Sequence, residues 1–389
     1  MPVSKRPTPF NRQEYLARLA RCKAKMDSLG ADVLLVCDGA NITYLTGYNS
    51  ESGYVAQGLL VDLAEEEPTL FLRRQDAPAG LHTCFMARER VIGYPESYIG
   101  HATLDGFDFI VDHMVAKRRD RARIGIEFGS VSGATLEKLR ARLSNARILD
   151  ASALVTWLRI VKSPLEIAVL REAATITDAA MARALEVIRP GVRECDAAAE
   201  ITAQLVRGTP QFGGDRSSFP LMPCGTNTGT SHITWTEAPF AKGTHVNIEI
   251  GGCRHRYVSA LMRTVSIGEP SAKLKSLHGA MVEGSEAALA AVRPGSTCGA
   301  VARAFGAVVE KAGFVKDSRC GYPIGINWLE PSASLRTDDP TVLEENMTFH
   351  LMLGMWIEED FGAVLSETFR VTDRGGEVFG KTPRRLFTV

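Results

Sequence analysis

Glu249 stands mid-strand in an apolar run, Val246-Asn-Ile-Glu-Ile-Gly251. A carboxylate among Val and Ile is costly to bury without a partner or a task. It is therefore the first candidate for nucleophilic or acid–base chemistry. Glu367 occupies a similar setting within residues 364–371, and His232 closes a Gly/Thr-rich stretch at 224–232. Imidazole is the side chain suited to moving protons near neutral pH, which makes His232 the candidate proton shuttle. Arg336 is the candidate clamp for a substrate carboxylate, because a guanidinium meets a carboxylate bidentately. Tyr54 and Trp356 offer aromatic faces that attract a cation. His255 and His350 read as packing or surface residues, and Glu358-Glu359-Asp360 as an exposed turn. The chain has no Gly-x-Ser-x-Gly, P-loop, Cys-x-x-Cys or His-Glu-x-x-His motif.

The elements that must position these residues follow from periodicity and punctuation. Asn11 with Glu14 opens a helix whose apolar face carries Tyr15, Leu16, Leu19, Met26 and Leu29, and Gly30 ends it. Strand-like runs follow at 33–37, 58–61 and 70–72, and helix–strand alternation to about residue 148 describes an α/β domain. A boundary falls at 161–164, where Ser163 caps a helix with Pro164 at its first position. Beyond it an internal repeat appears. Arg189-Pro190-Gly191 and Arg293-Pro294-Gly295 lie 104 residues apart, each followed by an Ala-rich helix. After each helix pair comes a strand pair, at 246–250 with 261–267 and at 347–353 with 364–371. Two such units could join their strands into one curved sheet with a site between the halves.

Of the 389 residues, 45 are Lys or Arg and 45 are Asp or Glu. This balance argues against nucleic acid or an anionic membrane as partner. The first twelve residues lack the apolar core of a secretory signal, and no apolar run is long enough to span a bilayer. Eight scattered cysteines read as free thiols. The expectation is a cytoplasmic enzyme acting on a small molecule.

The stretches 158–167, 224–232, 246–264 and 343–367 resemble the creatinase and methionyl/Xaa-Pro aminopeptidase superfamily. That likeness implies an α+β protein: an N-terminal creatinase-like α/β domain over 1–160, then a duplicated pita-bread domain over 161–389. The latter has a curved antiparallel sheet backed by helices. Metal-dependent members hold a dinuclear site with two Asp, one His and two Glu. Carried over, those positions fall on Glu249, Ala260, Tyr322, Met352 and Glu367. Two carboxylates with Ala and Met in the remaining places do not make a hard, oxygen-rich site, so no metal and no cofactor is expected.

Metal-free relatives are creatinases and ectoine hydrolases, and segments 6–10, 49–55, 75–76, 92–95, 249–257 and 383–387 are similar to the latter. The resemblance implies hydrolytic opening of a cyclic amidine, ectoine or a close analogue, to an N-acetyl-diaminobutyrate. Glu249 would be nucleophile or base, Glu367 would hold the charged N–C–N unit, and His232 would move the proton. Arg336, Tyr54, Tyr322 and Trp356 would bind substrate. A homodimer is implied too, one chain's N-terminal domain helping to close the other's site. Rival readings are a creatinase-like amidinohydrolase on a guanidino acid, a metal-dependent Xaa-Pro peptidase and a non-catalytic binding module.

Overall fold

The computed structural model describes residues 8–50, 52–216 and 219–389, so residues 6, 7 and 51 of the quoted segments lie outside it. The chain divides into two units, with the break between Arg159 and Ile160.

In the first unit, Asn11 accepts from Glu14 N and caps α1 (Arg12–Leu29), and Gly30 ends it with φ 74°. Tyr15, Leu19 and Met26 are buried as expected; Leu29 is exposed, and Arg18 and Cys22 share the inner face instead. There follow β1 (Val33–Val36), α2 (Gly39–Thr46), β2 (Gly58–Asp62), β3 (Thr69–Arg73), α3 (Ala77–Thr83), β4 (Val91–Tyr94) and α4 (Gly106–Ala116). The unit closes with β5 (Arg123–Ile126), α5 (Gly133–Arg142), β6 (Arg147–Asp150) and α6 (Leu154–Leu158). Its six strands form one mixed sheet in the order β4-β3-β2-β1-β5-β6.

The second unit is a duplication. The first repeat is α7 (Pro164–Val187), α8 (Glu194–Arg207), β7 (Thr244–Arg254) and β8 (Tyr257–Ile267). The second is α9 (Ala272–Ala291), α10 (Cys298–Lys311), the short β9 (Gly321–Pro323), β10 (Thr348–Met352), the hairpin β11 (Met355–Glu358) and β12 (Phe361–Ala363), and β13 (Ser366–Thr372). Two further strands, β14 (Gly375–Val378) and β15 (Phe387–Thr388), finish the chain. Ser163 and Glu166 form the capping box that starts α7. Gly191 and Gly295, one in each repeat, both take φ 85°, a turn only glycine adopts without strain.

Each repeat has its own core. Met181, Ala184 and Ile201 of the first helix pair pack on Val246, Ile248, Ile250, Leu261 and Val265. In the second, Leu277, Met281, Val301 and Phe305 pack on Phe349, Leu351, Leu365 and Phe369.

Backbone pairing does not run through one continuous sheet. β15-β8-β7 and β14-β13-β10-β9 are separate, and side chains close the seam between them. Thr368 Oγ1 accepts from Ala260 N and donates to Ala260 O, both at 2.9 Å. Reciprocally, Thr264 Oγ1 accepts from Val364 N at 2.9 Å and lies 3.1 Å from Val364 O. Thr264 and Thr368 are separated by the same interval as the two Arg-Pro-Gly turns, so the seam repeats itself about a local two-fold.

Candidate active site

Strand alternation decides what faces the cleft. Val246, Ile248 and Ile250 point into the first helix-side core, so Asn247, Glu249 and Gly251 point the other way. Glu249 lies opposite Met262 on β8, and both line a cleft of about 640 Å³. In the second repeat Leu351 faces the core, which turns Met352 to the cleft, opposite Ser366 on β13. Met352 therefore holds in the second repeat the register that Glu249 holds in the first.

The cleft lining also includes His232, Tyr322, Trp328, Trp356, Phe219 and Arg319. Both indoles sit against glycines that make room for them. A Cβ on Gly251 would lie 2.4 Å from the Trp328 ring, and one on Gly354 would lie 2.3 Å from that of Trp356.

Glu249 is 7% exposed, and among the described residues nothing donates to its carboxylate. Desolvation without a compensating charge pushes its pKa up to about 7. Beside it runs a row of neutral groups. Trp328 Nε1 donates to Tyr322 Oη at 3.0 Å, Tyr322 Oη lies 3.2 Å from His350 Nδ1, and His350 Nε2 lies 2.7 Å from Ser366 Oγ. Burial drives His350 down to about 3, leaving it neutral, and burial together with Glu249 raises Tyr322 to about 12. A neutral His350 that donates Nε2–H to Ser366 accepts the Tyr322 hydroxyl proton at Nδ1. This row fixes Tyr322 in place. His232 is exposed at the cleft, its Nδ1 3.1 Å from Ser231 Oγ, with no partner for Nε2 among the described residues.

Of the seven residues singled out from sequence, the structure brings Glu249, His232, Tyr322 and Trp356 together. Glu367 does not join them. It shares the helix-facing side of β13 with Leu365 and Phe369, where Arg263 Nη2 donates to it at 2.7 Å. Burial raises its pKa against the pull of Arg263. Arg263 is saturated: it also donates to the carbonyls of Pro383, Met262, Ser366 and Thr382. The residue of β13 on the cleft side is Ser366, one position earlier. Arg336 is likewise displaced, lying exposed and forked onto Asp338 at 2.7–2.9 Å. Tyr54 belongs to the first unit, on an exposed turn, where its hydroxyl accepts from Arg73. Glu358-Glu359-Asp360 forms the exposed β11–β12 turn.

Sequence reasoning missed Arg319, Trp328, Met262 and Phe219. Gly251 was the one signal for Trp328, because a glycine mid-strand marks a close approach. Nothing distinguished Arg319 from the surface arginines around it.

The family model for metallopeptidase family M24 matches residues 168–373, and that for the creatinase/prolidase N-terminal domain matches 18–161. The chain belongs to the M24 family. It is 52% identical to an uncharacterized hydrolase/peptidase, y4tL, of Sinorhizobium fredii over the whole of both chains. It is 37% identical to the ectoine hydrolase of Halomonas elongata, covering 97% of this chain and 98% of that one. A prolidase from Thermococcus sibiricus superposes with TM-score 0.85 over 97% of this chain and all of that one, at 22% identity, which establishes the shared pita-bread fold.

The donor set of the cleft can be tested against a metal directly. Along these strands the cleft side carries Glu249, Ala260, Tyr322, Met352 and Ser366, with the imidazole of His350 already engaged by Tyr322 and Ser366. Among the described residues no three His, Cys, Asp or Glu side chains come together as a metal site. A pair of hard divalent ions needs several carboxylates, so this donor set does not fit one.

Proposed function

We propose that this cleft hydrolyses the cyclic amidine of ectoine or a close analogue, without a bound metal, to an N-acetylated diaminobutyrate. The observation that carries the reading is Glu249, a buried carboxylate facing an aromatic-walled cleft with no donor from the protein among the described residues. A cyclic amidinium is the counter-ion that such a carboxylate lacks, and Trp328, Trp356 and Tyr322 offer faces to its delocalised charge. The 37% identity to ectoine hydrolase over nearly the full length supports the same substrate class.

In the proposed reaction Glu249 attacks the amidine carbon or removes a proton from the water that does. A tetrahedral carbon forms, one C–N bond breaks, and the departing nitrogen takes a proton from His232. The departing nitrogen is thereby released as an amine, while the carbon keeps its other nitrogen and gains the oxygen of water as an acetamide; where Glu249 has attacked first, that water then cleaves the Glu249 ester and frees the carboxylate. Trapping a Glu249 ester by mass spectrometry separates the nucleophile from the base. We also propose a cytoplasmic homodimer; light scattering should give twice the chain mass of 42.3 kDa. No helix among the described residues is long and apolar enough to cross a membrane.

The test is a proton NMR time course of chelator-treated, metal-assayed protein with ectoine. Growth of an N-acetyl signal is the expected result. Turnover only after metal is restored would overturn the metal-free part. Urea release from creatine would move the assignment to a guanidino acid, and cleavage of Xaa-Pro dipeptides would move it to a peptidase.

A further inference from the structure

We propose that Arg319 is the carboxylate clamp of this cleft, and that the site selects zwitterions: substrates with a cationic N–C–N end and a single carboxylate. This rests on the amidine reading above and adds its second anchor point. Arg336, the clamp expected from sequence, is exposed and already forked onto Asp338. Arg319 differs on every count. It lines the same cleft as Glu249, is half-buried, and has no carboxylate partner among the described residues. Its guanidinium lies over the Tyr322 ring with Cζ 4.5 Å from the centroid. Tyr322 is itself pinned by Trp328 and His350, so the cation rests on a fixed platform.

The charge pattern of the cleft points to the ligand. Its ionisable lining groups are the carboxyl of Glu249, the imidazole of His232, the guanidinium of Arg319 and the phenol of Tyr322, which stays neutral. The remaining lining is apolar or hydroxylic: Leu221, Met262, Met352, Phe219, Leu329, the two tryptophans and two serines. One fixed anion and one fixed cation in a site of low polarity favour a ligand carrying the opposite pair. In such surroundings each charge–charge contact counts for more than in water. The guanidinium fork donates two parallel hydrogen bonds to a carboxylate, which fixes the orientation of the ring as well as its affinity. With the carboxylate held there, the amidinium is left to Glu249.

The test compares ectoine with the same methyl tetrahydropyrimidine ring lacking its carboxylate, using the full chain. Wild type should favour ectoine by about 10- to 100-fold in kcat/KM, the range for one charge-assisted contact. Arg319→Met should raise KM for ectoine by that factor with kcat nearly unchanged, because a ground-state anchor is lost. It should leave the carboxylate-free ring unaffected, so that the preference collapses. Arg319→Lys, which keeps the charge without the fork, should fall between. An unchanged preference in a folded Arg319→Met protein overturns the clamp while leaving the amidine chemistry standing. If ectoine is not opened at all, the reaction assigned above falls instead. The clamp is then read by calorimetric titration of ectoine into wild type and Arg319→Met; equal affinity, or no heat with either, overturns it.

Discussion

The two repeats of the second unit share a scaffold but bring different chemistry to it. The first presents Glu249 to the cleft; the second presents Met352 at the equivalent register. On the helix-facing side the pattern is reciprocal, because Arg263 of the first repeat meets Glu367 of the second. Each glutamate is buried. Glu367 has a saturated guanidinium beside it and ties the two halves together, whereas Glu249 has none, which is why we propose it as the reactive acid. The difference teaches that the partner, rather than the residue type or its burial, decides whether a buried acid is structural or chemical.

The largest effect expected from this contrast is on turnover. Glu249→Gln should lower kcat by about 1,000-fold or more, as loss of a nucleophile or base does, with circular dichroism unchanged. In wild type, kcat/KM should rise with pH through about 7 as Glu249 loses its proton. Stability should move the opposite way. The Glu249 carboxyl titrates near 7 in the fold against an ordinary 4.5, so the fold holds the extra proton between those values. Its contribution is fully present below about 4.5 and is lost as pH rises through 7. Glu249→Gln should therefore melt higher than wild type at pH 8, and the gap should close by pH 5. A variant that melts lower at both pH values would contradict the unpartnered carboxylate.

Next in size is Glu367→Gln. Leaving the Arg263 guanidinium buried without its anion should cost about 3–5 kcal/mol in denaturant unfolding. Per folded molecule, kcat should stay close to wild type; a collapse of kcat in a well-folded variant would put Glu367 back into the chemistry. The seam sets a smaller test of the duplication itself. Thr264→Val and Thr368→Val each strand one backbone N–H across the seam, that of Val364 or Ala260, and Thr264→Val also leaves Asn247 Oδ1 without its donor. Each should cost about 1–3 kcal/mol, Thr264→Val the more. A larger loss from Thr368→Val would show that the local two-fold is not carried into the energetics. The smallest change is Gly251→Ala, whose methyl group would press on Trp328. It should raise KM several-fold, with thermal unfolding shifted by only a few degrees.

Much of this was legible from the chain. Asn11, Ser163 and Glu166 announce helix starts because caps are local, and the Arg-Pro-Gly turns expose the duplication through glycines held at positive φ. Glu249 declares itself as an acid inside an apolar strand, since only one face of that strand is polar. Glu367 is as visible by type, but its face hangs on register: strand side chains alternate, so a shift of one position exchanges the cleft for the core. Ser366 takes the cleft side, and the Arg263 that claims Glu367 is 104 residues away. Arg319 and Arg336 are equivalent as sequence. Folding gives one an aspartate two residues on and the other an aromatic platform beside a buried acid. Sequence by itself determined the elements, the duplication and the lone strand acid, because those depend on neighbours along the chain. The tertiary structure decided which acid has an ion-pair partner and which arginine lines the cleft without one, because a charge's partners are set by packing between distant strands.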